Sequence, residues 1–220
     1  EPVQGEGGFY QAPAELMREI RRLCDKYGIV MIADEVQTGG CRTGRFFGFE
    51  HYGLEPDLVT MSKSLTGGMI PVGALMCRAE IYERIYSSRS MHTPHWSTCS
   101  ENLLAMVAAL SSLQIMARDD LAARAEALGL RFRRRLQASH ERFNLVTDLR
   151  GKGLMIGVGL TPQPGPLRLL MSLLLKHRIN VSTSAPRWDA LKLLPPLTID
   201  DAVVDEFCDA LDSVLENEDI

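Results

Sequence analysis

Two kinds of apolar patterning run along the 220 residues. The first recurs every three to four positions. Leu16, Ile20 and Leu23 set a helix over residues 13–27, with Pro13 suited to its first turn and Gly28 to its end. The second has almost no polar interruption: IVMIADEV (29–36), DLVTMS (57–62) and PVGALMC (71–77). Strands of that kind belong to sheets covered on both faces, and their alternation with helical segments predicts an α/β domain. Helices are expected over 101–113 and 119–139. The texture then changes. FNLVTDLRG, GLMIGVGL, RINVST and ALKLL read as short strands, separated by helices over 166–177 and 200–216. This pattern predicts one domain over residues 1–116 and a smaller α+β domain over residues 117–220.

Composition narrows the classes. With 45% hydrophobic and 24% charged residues, the chain has enough apolar material for one or two ordinary globular cores. A net charge of -4, spread along the chain, implies neither a nucleic-acid nor a membrane partner. No apolar stretch approaches the ~18 residues of a membrane-spanning helix. The five cysteines form no C-x-x-C pair and no Cys/His metal spacing, so no metal is expected, and their odd number points to a reducing, cytoplasmic compartment. The first residues are Glu1-Pro2, without a methionine, so the chain is expected to be the rear part of something longer.

Chemistry enters at the ends of the continuous strands. Asp34 and Glu35 close the first, and Lys63 follows the second. On composition alone, the carboxylates read as a solvated turn and the lysine as a strand's exit to water, since lysines are almost never fully buried. Ligands of open α/β sheets, however, bind outside the carboxyl ends of strands. Asp34 and Lys63 could therefore face one crevice. A desolvated lysine can form a Schiff base with a carbonyl cofactor, and pyridoxal phosphate needs that lysine plus an acidic partner for its ring nitrogen.

The strings EPVQGEGG, IADEVQTGGCRTGR, PDLVTMSKSLTGGMIPVGALM, HWSTCSENLLA and LRGKGLMIGVGL, in this order and spacing, resemble the class III pyridoxal-phosphate-dependent aminotransferases. That family includes the ornithine, acetylornithine, 4-aminobutyrate and ω-amino acid enzymes. The resemblance covers nearly the whole chain. It implies a fold type I transferase: the remainder of a large, mostly parallel-sheet domain plus a small C-terminal domain. It also implies residue roles. Lys63 matches the lysine that forms the internal aldimine and then moves the proton between substrate and cofactor carbons. Asp34 matches the partner of the ring nitrogen, Val36 the apolar residue on one ring face, and Gln37 the amide that reaches the phenolic oxygen. Thr98, with Ser97 beside it, matches the hydroxyl that reaches the cofactor phosphate of the neighbouring subunit, so a homodimer is implied. Glu6 matches a gate carboxylate that pairs with a C-terminal arginine in several members, and Arg42 a loop arginine of structural role. Without the resemblance, Val36 reads as core, Gln37 as a loop amide, and Ser97 and Thr98 as caps of the following helix.

The sequence departs from its family in three places. In His95-Trp96-Ser97-Thr98-Cys99, a tryptophan stands for a small residue and a cysteine for an aromatic one. Lys192, three residues before the Pro195-Pro196 pair, stands where the family often has an arginine. A lysine cannot make the bidentate fork to a carboxylate, so a relaxed or amine-type substrate is expected. The family's Gly/Ser/Thr-rich phosphate loop precedes the E-P-x-Q-G-E string and is absent from these residues. Transamination between a small-molecule amino donor and a carbonyl acceptor is therefore the expected activity, with weak cofactor binding by the 220 residues alone. The alternatives are another pyridoxal-phosphate reaction, an aminomutase or racemase, or a truncated non-catalytic remnant.

Overall fold

Helix α1 (Ala14–Tyr27) forms where the apolar spacing predicts it, and Gly28 ends it in the left-handed conformation. Strand β1 (Ile32–Asp34) is much shorter than the apolar run that contains it. The reason is pairing: β1 bonds only to β2 (Leu58–Met61), in parallel, and its other edge carries no strand among the described residues. The computed structural model describes residues 1–87, 97–161, 166–185 and 187–217. Strand β3 (Ala74–Cys77) runs antiparallel to β2, so this three-stranded sheet has one parallel and one antiparallel pair. A short 3-10 turn, Lys63–Thr66, follows β2. Helix α2 (Ala79–Tyr86) is not anticipated by the sequence pattern.

Helix α3 (Leu103–Arg118) starts after Asn102, whose side chain accepts the Ala105 backbone N–H. Asn102, rather than Ser97 or Thr98, is thus the cap. Helix α4 (Leu121–Arg142) begins at Asp120, which caps Ala123. A second sheet follows, in the order β4-β5-β7-β6, with every pair antiparallel: β4 (Val146–Lys152), β5 (Met155–Leu160), β6 (Ser182–Thr183) and β7 (Ala190–Leu193). Helices α5 (Pro166–His177) and α6 (Asp201–Asn217) cover it together with α4.

The largest core lies between that sheet and its helices. Phe132, Leu136, Ile156, Val158, Leu173 and Leu211 are among its buried members. Along its outer side, α4 and α6 are joined by charges four or seven residues apart on each helix: Arg131 bonds Asp201 and Asp205, Arg135 bonds Asp209, and Arg142 bonds Glu216. These side chains are half-exposed, so each pair contributes at most about 1 kcal/mol. Burial of the apolar faces, not the ladder, holds α6 in place.

The two sheets meet through the loop after β1. Arg42 donates to the carbonyls of Leu154 (3.3 Å) and Pro195 (2.5 Å), which gives the structural role expected of it. Burial pulls its guanidinium down to about 10, still charged at neutral pH. Alongside, Gly153 and Gly129 allow three backbone segments to touch. A Cβ on Gly153 would lie 2.5 Å from the Thr43 carbonyl carbon, and one on Gly129 would lie 2.1 Å from the Gly153 oxygen.

Candidate active site

The parallel register builds the first part of the site. It places Asp34 opposite Thr60, three residues before Lys63. The Thr60 hydroxyl donates to Asp34 Oδ1 at 3.1 Å, and the Val36 backbone N–H donates to the same oxygen at 3.0 Å. Two donors on one oxygen fix the direction of the carboxylate, and among the described residues no donor reaches Oδ2. Thr60 was not singled out from the sequence, because its part depends on which residue of β2 lies beside Asp34, and periodicity does not give register.

Lys63 leaves the end of β2 with φ of 45°, in the left-handed region that residues bearing a Cβ avoid. The following 3-10 turn holds it there: the Gly68 N–H donates to the Lys63 carbonyl, and the Leu65 N–H to the Ser62 carbonyl. Strain of this kind collects at functional positions. The side chain is exposed on a cavity of about 970 Å³ that Val36, Gln37, Thr66, Met69 and Leu197 also line. Asp34 does not line this cavity; it stands on the open face of the sheet.

The carboxylate next to Asp34 has a different task. Glu35 is 1% exposed, and its two oxygens accept from the Thr38 hydroxyl (2.5 Å) and from the N–H groups of Gly48 and Phe49 (2.8 Å each). Burial pushes its carboxyl up, and the three donors hold it back. Glu35 thereby shapes the turn that carries Val36 and Gln37. Replacing it with Gln is expected to cost about 1–3 kcal/mol of stability, since the new NH2 must face an N–H donor. Urea unfolding of the variant measures this; an unchanged midpoint would mean the turn does not depend on Glu35.

Glu6 and Lys192 come together. Lys192 Nζ lies 2.7 Å from Glu6 Oε2, with the lysine side chain 5% exposed. Gln37 Nε2 donates to the other Glu6 oxygen at 3.1 Å. The Lys192 hydrogen bond, then that of Gln37, holds the Glu6 carboxyl below its ordinary range. The loop bearing Glu6 is itself pinned. Ala185 N–H donates to the Glu6 carbonyl at 2.8 Å, and Arg150 donates to the Gly8 carbonyl at 2.7 Å while lying over the Tyr10 ring. Gln37 thus faces the carboxylate of Glu6 in this structure, joining the β1 turn to β7.

Ser97 and Thr98 are exposed, and the Ser97 hydroxyl shares a hydrogen bond with that of Ser100. They are not brought to Lys63 and Asp34. His95 and Trp96 lie outside the described residues. Among the described residues, no group of three or more His, Cys, Asp or Glu side chains could hold a metal, and no helix is long and apolar enough to cross a membrane.

The donor set fits the ring end of pyridoxal phosphate: an accessible amine, a fixed carboxylate with a free oxygen, an apolar side chain and an amide, all at the carboxyl ends of adjacent parallel strands. Residues for its dianionic phosphate are not assembled among those described.

Comparison with known proteins agrees with this geometry. The sequence profile described as aminotransferase class-III matches residues 1–215. An acetylornithine aminotransferase of Methanocaldococcus jannaschii is 38% identical over 217 residues, which are 97% of this chain and 51% of that protein. An amine transaminase from an uncultivated Pseudomonas species, solved in its PLP-bound form, superposes with a TM-score of 0.90 at 32% identity, covering 98% of this chain and 50% of that one. A transaminase from the marine bacterium Virgibacillus gives 0.92 at 27% identity, with 98% and 51% covered. The chain spans about half the length of the relatives it matches. It belongs to the class III aminotransferase family.

Proposed function

We propose that these residues form the lysine-bearing half of a pyridoxal-phosphate-dependent aminotransferase, which moves an amino group from an amino acid or amine donor to a 2-oxo acid or aldehyde acceptor. The observation that carries the reading is the register of β1 on β2, which sets Asp34 and Lys63 at the carboxyl ends of neighbouring parallel strands. The bound cofactor supplies an electron sink for the carbanion formed at the substrate. Lys63 Nζ would hold it covalently and would serve as the base and acid that moves the proton away from the substrate carbon. Asp34, oriented by Thr60 and the Val36 N–H, would pair with the ring nitrogen and keep it protonated. Val36 would supply an apolar contact to the ring, and Gln37, which here donates to Glu6, would supply the amide for its phenolic oxygen. Residues 1–116 belong to the cofactor-binding domain and residues 117–220 to the small domain, in a cytoplasmic homodimer where Ser97 and Thr98 serve the neighbouring subunit's phosphate.

The test is amino-acceptor dependence. Donor alone should convert the cofactor once, and continued turnover should require a carbonyl acceptor. Turnover without any acceptor would replace transamination by an aminomutase or racemase reaction.

Lys192 sets the substrate class. Its single charge is already matched by Glu6, so a substrate carboxylate must compete for one monodentate contact. Lys192→Arg is expected to raise kcat/KM for 2-oxoglutarate about tenfold over that for an aldehyde acceptor, since a bidentate pair adds roughly 1–2 kcal/mol. Equal changes for both acceptors would place Lys192 outside the substrate's reach.

A further inference from the structure

Glu6 sits at the tip of a closed loop. The Gln4 N–H donates to the Tyr10 carbonyl and the Phe9 N–H to the Gln4 carbonyl, at 2.9 Å each, and the Gly8 N–H closes the tip on the Gly5 carbonyl. The base of the loop is buried, with Val3 and Phe9 packed on Met155 of β5. The tip has no such core, and polar groups of the small sheet hold it instead. The Ala185 N–H donates to the Glu6 carbonyl at 2.8 Å. Arg150, in β4, donates from Nε to the Gly8 carbonyl at 2.7 Å, and its guanidinium lies 3.9 Å from the centre of the Tyr10 ring. Asp148 accepts from its Nη1 at 2.9 Å and fixes the guanidinium plane.

Two observations mark Arg150 as serving this loop rather than its own pairing. Its side chain is 11% exposed, yet Nη2 is buried without a hydrogen bond among the described residues, 3.7 Å from Asp189 Oδ1. An arginine that only tied the sheet together would pair that donor too, since an unmade buried bond costs stability. Room is also kept for the contact. Gly157 is the register partner of Arg150 on β5, and a Cβ there would lie 2.8 Å from the Gly8 oxygen and 3.0 Å from Arg150 Cγ. Two residues before Gly8, the Glu6 carboxylate meets Lys192 at 2.7 Å and Gln37 at 3.1 Å. We propose that Arg150 is a positioning residue: through Gly8 and Tyr10 it holds the tip so that Glu6 stays on Lys192, and thereby limits how readily a substrate carboxylate takes that lysine. Its reach to acceptor choice rests on the role proposed above for Lys192; its hold on Glu6 does not.

The experiment has two arms. In the 220-residue chain, NMR titration of the carboxylates follows Glu6, assigned by the signal lost in Glu6→Gln. Lys192 and then Gln37 hold the parent carboxyl below its ordinary range, with Lys63 a more distant cation acting the same way. Arg150→Lys keeps the charge but loses the planar fork and its stack on Tyr10; Tyr10→Leu removes the ring. Both should raise the Glu6 midpoint toward the ordinary glutamate range while the far-ultraviolet circular dichroism stays that of the parent. In the cofactor-loaded enzyme, both should raise kcat/KM for 2-oxoglutarate about threefold over that for an aldehyde acceptor, and in a Glu6→Gln background Arg150→Lys should leave that ratio unchanged, as for two residues that act through one contact. A merely structural arginine would lower both acceptors alike in either background. A Glu6 midpoint that neither variant moves overturns the proposal, as does a change of ratio that persists in full in Glu6→Gln. If Arg150→Lys does not fold, the midpoint in Tyr10→Leu decides alone. A raised midpoint with turnover of neither acceptor would uphold the hold on Glu6 and overturn the aminotransferase reading instead.

Discussion

In the assembled enzyme, Lys63→Ala is expected to lower transamination on the order of 10³-fold or more, because in the proposed role one amine both holds the cofactor and carries the proton. Borohydride reduction of the parent should fix the cofactor covalently, and peptide mapping should place it on Lys63. The variant should show no fixed cofactor. The position supports a strong effect: the backbone at Lys63 is held at a φ of 45° by the turn that follows β2, strain of a kind that collects at functional positions. Cofactor fixed on Lys26, Lys152, Lys176 or Lys192 would refute the assignment.

The second large effect belongs to Asp34. Asp34→Asn keeps the shape of the side chain and one acceptor oxygen for Thr60 and the Val36 N–H, but removes the charge. A loss of about 10²–10³-fold in kcat is expected, as for removal of one oriented group that stabilises charge in the transition state. Covalent capture of the cofactor on Lys63 should survive, which distinguishes an electronic role from a collapsed site. Near-parental turnover by Asp34→Asn would make Asp34 a turn residue.

How legible these features are in the sequence depends on what carries each of them. The chemistry of Lys63 and Asp34 is local: strand ends and family strings mark both, and the register places them on adjacent strands. Thr60 was hidden because its role lies in a cross-strand pairing. Glu35 was visible as an acidic neighbour, but its three hydrogen bonds reach Thr38, Gly48 and Phe49, contacts that no spacing rule gives. The pairing of Glu6 with Lys192 spans 186 positions, and only the resemblance pointed to it. At β1 the apolar run is longer than the strand, because such a run reports the burial of a complete sheet, whereas hydrogen bonds form only where a neighbour is present. Helix α2 is eight residues long, too short for its periodicity to stand out between a strand and the next segment.

The junction where Arg42, Gly129 and Gly153 meet has a mechanical meaning. Arg42 grips two carbonyls, one at the start of β5 and one just past β7, and the glycines bring bare backbone against bare backbone. Where the glycine backbones touch, no side chain lies between them to slide or cushion. The loop after β1, helix α4 and the turn before β5 therefore travel together as one welded corner. If the small sheet swings when substrate enters, the corner cannot be its hinge; the bending must occur in segments free of this grip, and Gln37, a few residues along the same loop, moves with the corner rather than against it.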